Sequence, residues 1–144
     1  MYCYDYPRLM LTVDIALINK KSNEVFILLI KRANEPYKDL WALPGGFVDM
    51  DETLIDAAKR ELFEETGIAE TDLKQFYTYG DLNRDPRGRT VSVVYYAFVN
   101  QNNTNAVAGD DAAETNWFSL KNLPQLVFDH QKIINELNIF LQLV

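Results

Sequence analysis

Residues 46–68 read GFVDMDETLIDAAKRELFEETGI, and the spacing of their carboxylates decides how the rest of the chain is read. Thr53 followed by Asp56 has the pattern of a capping box, so the spacing predicts a helix from about Leu54. Gly67 is a natural terminator for it, and Gly45 and Gly46 are read as a flexible turn before it. Leu54, Ala58 and Leu62 recur every fourth residue and form a stripe to be buried, while Glu61 and Glu65 stand one turn apart on another face. Glu61, Glu64 and Glu65 fall within an arc of roughly 100°. Like charges at this spacing repel, so the cluster calls for a cation. Oxygen-only ligands of high charge density suit Mg²⁺ or Mn²⁺ better than Zn²⁺, and no Cys/His cluster competes with that choice. The plainer alternative is a solvated helix with Arg60 and Glu64 as an i, i+4 pair.

The spacing as a whole goes beyond an ordinary helix. Gly46, five residues, Glu52, seven residues, Arg60-Glu61-Leu62, one residue, Glu64-Glu65, one residue and then Gly67-Ile68 resembles a complete Nudix box. The resemblance implies an α/β fold, an α/β/α sandwich with a mixed sheet between the box helix and a C-terminal helix. It also implies metal-dependent pyrophosphohydrolysis. Glu61, Glu64 and Glu65 would then be metal ligands, joined by the backbone carbonyl near Gly45. Arg60 would orient the glutamates, with Glu52, which precedes the helix, supporting Arg60.

Composition bounds the rest. A chain of 144 residues, 48% hydrophobic, has room for one domain with a real core. No basic-then-apolar leader and no run of 18 apolar residues is present, which predicts a cytoplasmic protein without membrane contact. Cys3, the single cysteine, has no intrachain partner. The net charge of −7 disfavours general binding to a nucleic-acid backbone. An anionic substrate also requires that metal and local arginines cancel the field.

Two apolar runs, 9–18 and 24–30, separated by the polar 19–23, read as a long hairpin closed by Lys31 and Arg32. Trp41 in the following Trp41–Phe47 segment is assigned to the core rather than to ligand stacking. Leu73–Leu82 and Val91–Val99 read as strands. Between them lies Asn83-Arg-Asp-Pro-Arg-Gly-Arg89, which is either an ordinary charged turn or a source of phosphate-binding forks. On the second reading Arg84, Arg87 and Arg89, together with Arg32, contact substrate. Residues 100–114 lack periodicity and read as a loop. Trp117–Leu120 reads as a short strand. Asp129 is the expected N-cap of a final helix whose apolar stripe is Ile133, Ile134, Leu137, Phe140 and Leu141, with His130 a structural residue of its first turn.

The segments Arg84–Tyr96 and Leu126–His130 further resemble ADP-ribose pyrophosphatases and a related group of transcriptional regulators. That branch implies a small nucleotide substrate, ADP-ribose cleaved to AMP and ribose 5-phosphate. Nucleotide sugars, NADH and oxidised nucleoside triphosphates remain alternatives, as does a non-catalytic sensing domain. Such a sensor would carry an added DNA-binding domain, and the 144 residues, read as a single domain, weigh against that reading. The branch further implies a late-loop acid, Glu114, Asp110 or Asp111, in metal binding or water activation; the residues do not decide between Glu61 and Glu114 as base. It also implies a homodimer, for which Val91–Val99 offers an apolar surface.

Overall fold

The computed structural model describes residues 1–69, 72–100, 108–109 and 112–144. Its elements run β1 (Met10–Lys21), β2 (Glu24–Arg32), β3 (Trp41–Ala42), β4 (Gly45–Phe47), α1 (Leu54–Thr66), β5 (Lys74–Tyr79), β6 (Thr90–Phe98), β7 (Ala112–Ser119) and α2 (His130–Leu141). They form one mixed sheet in the order β3-β2-β1-β6-β5, with β4 pairing β1 and β7 pairing β2. Only the β1–β6 pair is parallel among these strands. This is the expected α/β/α sandwich.

β1 is apolar on both faces because both are covered. Val13, Ile15 and Leu17 pack with Ala57, Ala58 and Leu62 of α1. Ala16 and Ile18, of the opposite parity, pack with Ile133, Ile134 and Leu137 of α2. Asp14 shares the parity of that second set, so the side of the sheet facing α2 turns polar at this position.

The helix at residues 54–66 starts and stops as its caps dictate. Thr53 Oγ1 accepts the Asp56 backbone N–H at 3.2 Å, and Gly67 ends the helix at φ 75°, a left-handed conformation that costs other residues a steric clash. At the far end, Asp129 occupies the N-cap position of α2 but makes no side-chain cap bond. Its carboxylate is taken by Arg84 instead.

Several expectations are corrected. The β1–β2 turn is only Ser22–Asn23, because pairing continues through Lys20↔Val25 and Lys21↔Glu24. Gly45 and Gly46 lie in β4, hydrogen-bonded to β1, rather than in a flexible turn. Residues 112–114, read as the end of a loop, belong to β7, which begins at Ala112 and holds Glu114 in register with Lys31 of β2. Asp110 and Asp111 lie outside the described residues. Phe140 is 62% exposed and meets Phe76 at 5.2 Å instead of entering the core. Strand β6 sits between β1 and β5 with Val93, Val94, Tyr95 and Ala97 buried, so it is sheet interior and not a free dimer surface. Trp41 packs edge-to-face on Phe118 at 4.7 Å, as a core residue would. No helix among the described residues is long and apolar enough to cross a membrane.

Candidate active site

Strand β4 and helix α1 face each other, and two glycines let them approach. A Cβ on Gly45 would stand 2.2 Å from the Val13 carbonyl oxygen, and one on Gly46 would stand 2.5 Å from the Glu61 carboxylate. Their value is the space left by the missing side chain rather than flexibility. In that space the Gly45 N–H donates to Glu65 Oε1 at 2.8 Å, which fixes a carboxylate that is only 5% exposed.

Arg60 organises the outer part. Its guanidinium donates to Glu52 at 2.6 and 2.9 Å, to Glu61 at 2.8 Å, to Glu64 at 3.1 Å and to the Phe47 carbonyl at 2.9 Å, with Asp49 at 3.6 Å. The bonded guanidinium holds the Glu52 carboxyl down to about 2. Burial pushes the Glu61 carboxyl above the usual carboxylate range, against the opposing pull of Arg60.

Glu61 and Glu65 line a chamber of about 350 Å³ together with Asp49, Glu35, Arg32 and Arg87. Behind it lies a recess of about 60 Å³ that shares Arg32, Gly45, Gly46, Glu65 and Arg87 and adds Asp14, Arg84, Asp85, Phe128 and His130. Among the described residues no three His, Cys, Asp or Glu side chains form a ready-made metal cage. The donor set still fits Mg²⁺ or Mn²⁺, since such ions are commonly held by one or two carboxylates, with water and substrate oxygens completing the shell. Glu61 and Glu65 would hold it from the chamber wall, whereas Glu64 is turned towards Arg60 and does not line the chamber.

The arginines divide. Arg84, its side chain 5% exposed, forms a two-bond fork with Asp129 at 2.6 and 2.8 Å, which ties it to the start of α2. Burial alone would lower its affinity for the proton, but Asp129 outweighs this and raises it. Arg87 pairs with Asp85 at 2.7 Å and lies over the rings of Phe47 and Phe128 at 4.9 and 5.3 Å, at the junction of chamber and recess. Arg32 donates to the Pro36 carbonyl at 2.8 Å and lines both spaces. Arg89 is exposed and lines neither.

Glu114 stands apart from Glu61. Trp117 packs on the α1 side and Phe118 on the α2 side, so alternation along β7 turns Glu114 to the α2 side, where it meets Lys31 at 3.9 Å. Sequence reasoning missed Asp14 and Ser92, whose hydroxyl donates to the Asp14 carboxylate. A lone aspartate among the apolar residues of 13–18 was the available signal. His130, read as structural, is buried and accepts the Leu43 N–H on Nδ1 at 3.0 Å.

Comparison with known proteins supplies the wider setting. The NUDIX domain family matches residues 8–137. An ADP-ribose pyrophosphatase of Methanocaldococcus jannaschii is 46% identical over 119 residues, 83% of this chain and 68% of that protein. The ADPR responsive transcriptional repressor NtrR of Acinetobacter baylyi is 39% identical over 92% of this chain, which spans 54% of the repressor's length. The NUDIX domain of Shewanella oneidensis NrtR, solved in complex with ADP ribose, superposes with a TM-score of 0.88 at 32% identity, covering 96% of this chain and 94% of that one. The glutamate helix, the glycine-lined strand facing it and these likenesses have one reading: the chain belongs to the Nudix family.

Proposed function

We propose that this chain is a Nudix pyrophosphohydrolase that cleaves ADP-ribose to AMP and ribose 5-phosphate. The observation that carries the reading is the chamber in which Glu61 and Glu65 share a wall with Arg32 and Arg87. A diphosphate resists hydrolysis because its own charge repels a nucleophile, so a catalyst must supply cations, position a water and stabilise the departing phosphate. Arg32 and Arg87 supply fixed positive charge to the phosphate oxygens. Glu65, held by the Gly45 N–H, and Glu61, held by Arg60, offer carboxylate oxygens on the same wall. A divalent ion, Mg²⁺ or Mn²⁺, would there supply Lewis-acid neutralisation of phosphate charge, with the Gly45 carbonyl a further candidate ligand. Glu61 is the better placed base for the attacking water, because Glu114 is turned to the other side of the sheet. Arg60 orients rather than reacts. Its five hydrogen bonds fix the helix face on which the glutamates stand.

The 46% identity to an ADP-ribose pyrophosphatase supports ADP-ribose over other nucleotides. A cytoplasmic location and a homodimer belong to the same proposal. The likeness to the ADP ribose complex of NrtR also favours a second reading, a domain that binds ADP-ribose without turning it over.

Steady-state hydrolysis of ADP-ribose, NADH, a nucleotide sugar and 8-oxo-dGTP, each with Mg²⁺, with Mn²⁺ and with chelator, separates these readings. ADP-ribose should exceed 8-oxo-dGTP in kcat/KM by at least about tenfold, the worth of one good charge-assisted contact. Preference for 8-oxo-dGTP overturns the substrate. Tight ADP-ribose binding without metal-dependent turnover supports the sensing domain.

A further inference from the structure

The recess behind the chamber carries more than the diphosphate chemistry requires. Asp14 and His130 are 8% and 3% exposed, and both line it. Asp14 Oδ2 accepts the Ser92 hydroxyl, which leaves Oδ1 turned toward His130. His130 Nδ1 accepts the Leu43 N–H, so the ring proton must reside on Nε2. Burial lowers the affinity of this ring for a second proton and keeps it neutral.

Asp14 Oδ1 and His130 Nε2 are 3.7 Å apart, too far for a good hydrogen bond with each other. An acceptor and a donor are thus held side by side, both buried and facing the same space. One small group that both donates and accepts satisfies the two together, and a hydroxyl is such a group. Other ligands fit less well. A phosphate would meet the Asp14 carboxylate, and of the arginines in the same lining Arg84 is paired with Asp129 and Arg87 with Asp85. A metal would need the Nε2 lone pair, which the proton occupies. At about 60 Å³ against about 350 Å³ for the chamber, the recess is the smaller space, and a ribose that carries no base suits it better than one that carries a purine.

We propose that Asp14 and His130 form a hydroxyl-reading subsite, in which a sugar hydroxyl of the substrate donates to Asp14 Oδ1 and accepts from His130 Nε2–H. The recess opens into the chamber across Gly45, Gly46 and Glu65, so the sugar read is one attached to the phosphates there. The inference rests on the reading of the chain as a hydrolase of ADP-ribose and adds that its terminal ribose is what the recess selects. Removing the hydroxyl leaves two buried polar groups unmatched, which makes this kind of selection steep.

The test is kcat/KM for ADP-ribose, for its 2- and 3-deoxy analogues in the terminal ribose, and for an ADP alkyl ester with no hydroxyl in that part. Each is assayed with the wild type, Asp14→Asn and His130→Asn; the asparagine at 130 can still accept the Leu43 N–H but lacks the Nε2 donor. On the wild type at least one deoxy analogue should fall at least about tenfold below ADP-ribose. Both variants should lose a similar factor on ADP-ribose, chiefly in KM, and the loss should disappear with the alkyl ester. An equal loss on ester and on ADP-ribose means a merely structural role and overturns the proposal. So does a wild type indifferent to every deoxy analogue, a result that stands even if both variants misfold. Failure of the wild type to cleave ADP-ribose at all overturns the functional reading, and the subsite falls with it. A flat analogue series with ADP-ribose readily cleaved overturns the subsite alone.

Discussion

Arg60, beside the chamber glutamates, and Arg84, in the lining of the recess, are both arginines clasped by carboxylates, yet they were not equally legible. Every carboxylate that Arg60 touches lies within eleven residues of it in the sequence, at Asp49, Glu52, Glu61 and Glu64. The partner of Arg84 is Asp129, 45 residues away and at the start of α2. Helical geometry sets the pairs with Glu61 and Glu64, and Glu52 and Asp49 stand in the segment just before the helix, whereas the second pair exists only because the β5–β6 connection is folded against the beginning of α2. The difference teaches that a local charge pattern can be read as a site, while an arginine in a loop can be read only as available. Arg84 is already paired with Asp129.

The widest separation between the two regions should appear in turnover. Glu65→Gln keeps an oxygen able to accept the Gly45 N–H but removes the charge, so kcat for the preferred nucleotide should drop by at least about 100-fold, with the thermal midpoint little changed. Wild-type turnover from a folded variant at limiting Mg²⁺ would remove Glu65 from the chemistry.

Arg84→Ala should act on stability first. It leaves a partly buried Asp129 without its partner, a loss of about 3–5 kcal/mol in unfolding free energy. Denaturant titration checks this, and Asp129→Asn added to Arg84→Ala should recover part of the loss. A stable Arg84→Ala that has lost only affinity for diphosphates would restore the phosphate clamp.

Gly46→Ala tests the close approach. The new Cβ would collide with the end of the Glu61 side chain, which can swing aside at little cost in stability but not without moving a chamber carboxylate. Activity should fall about tenfold, in the range seen when supporting groups of a metal site are disturbed, with folding intact. Gly45→Ala, whose Cβ meets the Val13 backbone, should instead lose stability. Equal stabilities for the two variants would remove the distinction.

The smallest effect is a pH signature at Arg60. Glu52 is depressed to about 2 from the ordinary 4.5, so its bond to Arg60 stabilises the fold fully above pH 4.5 and is lost as pH falls towards 2. Acid unfolding should therefore show the stability gap between wild type and Glu52→Gln closing across that interval. A gap independent of pH would mean that the bond is not charge-assisted.

Much of this molecule was readable in one dimension. The limits of α1, Leu54 and Thr66, follow from a threonine cap and a left-handed glycine. The hairpin and the final helix followed from their apolar periods. Errors gathered where the answer depended on distant partners. Phe140 lies at helical spacing from the core but is 62% exposed and meets the half-buried Phe76 at the sheet edge. Glu114 has the right chemistry for an active-site acid, and the alternation of β7 turns it away. The β6 strand looked like an apolar surface because nothing in its own sequence says that β1 and β5 flank it.

By itself, the sequence determined the glutamate helix, its caps, the arginine that orders it and the apolar strands it packs against, because each depends on residues within a few turns or pleats. Only the tertiary structure decided which arginines face the chamber and which are spent on the fold. It alone brought Gly45 against Glu65, and Asp14 against a histidine 116 residues further on. Hydrogen bonds and ion pairs act over a few ångströms, and for groups so distant in the chain that proximity is set by the packing of whole strands and helices.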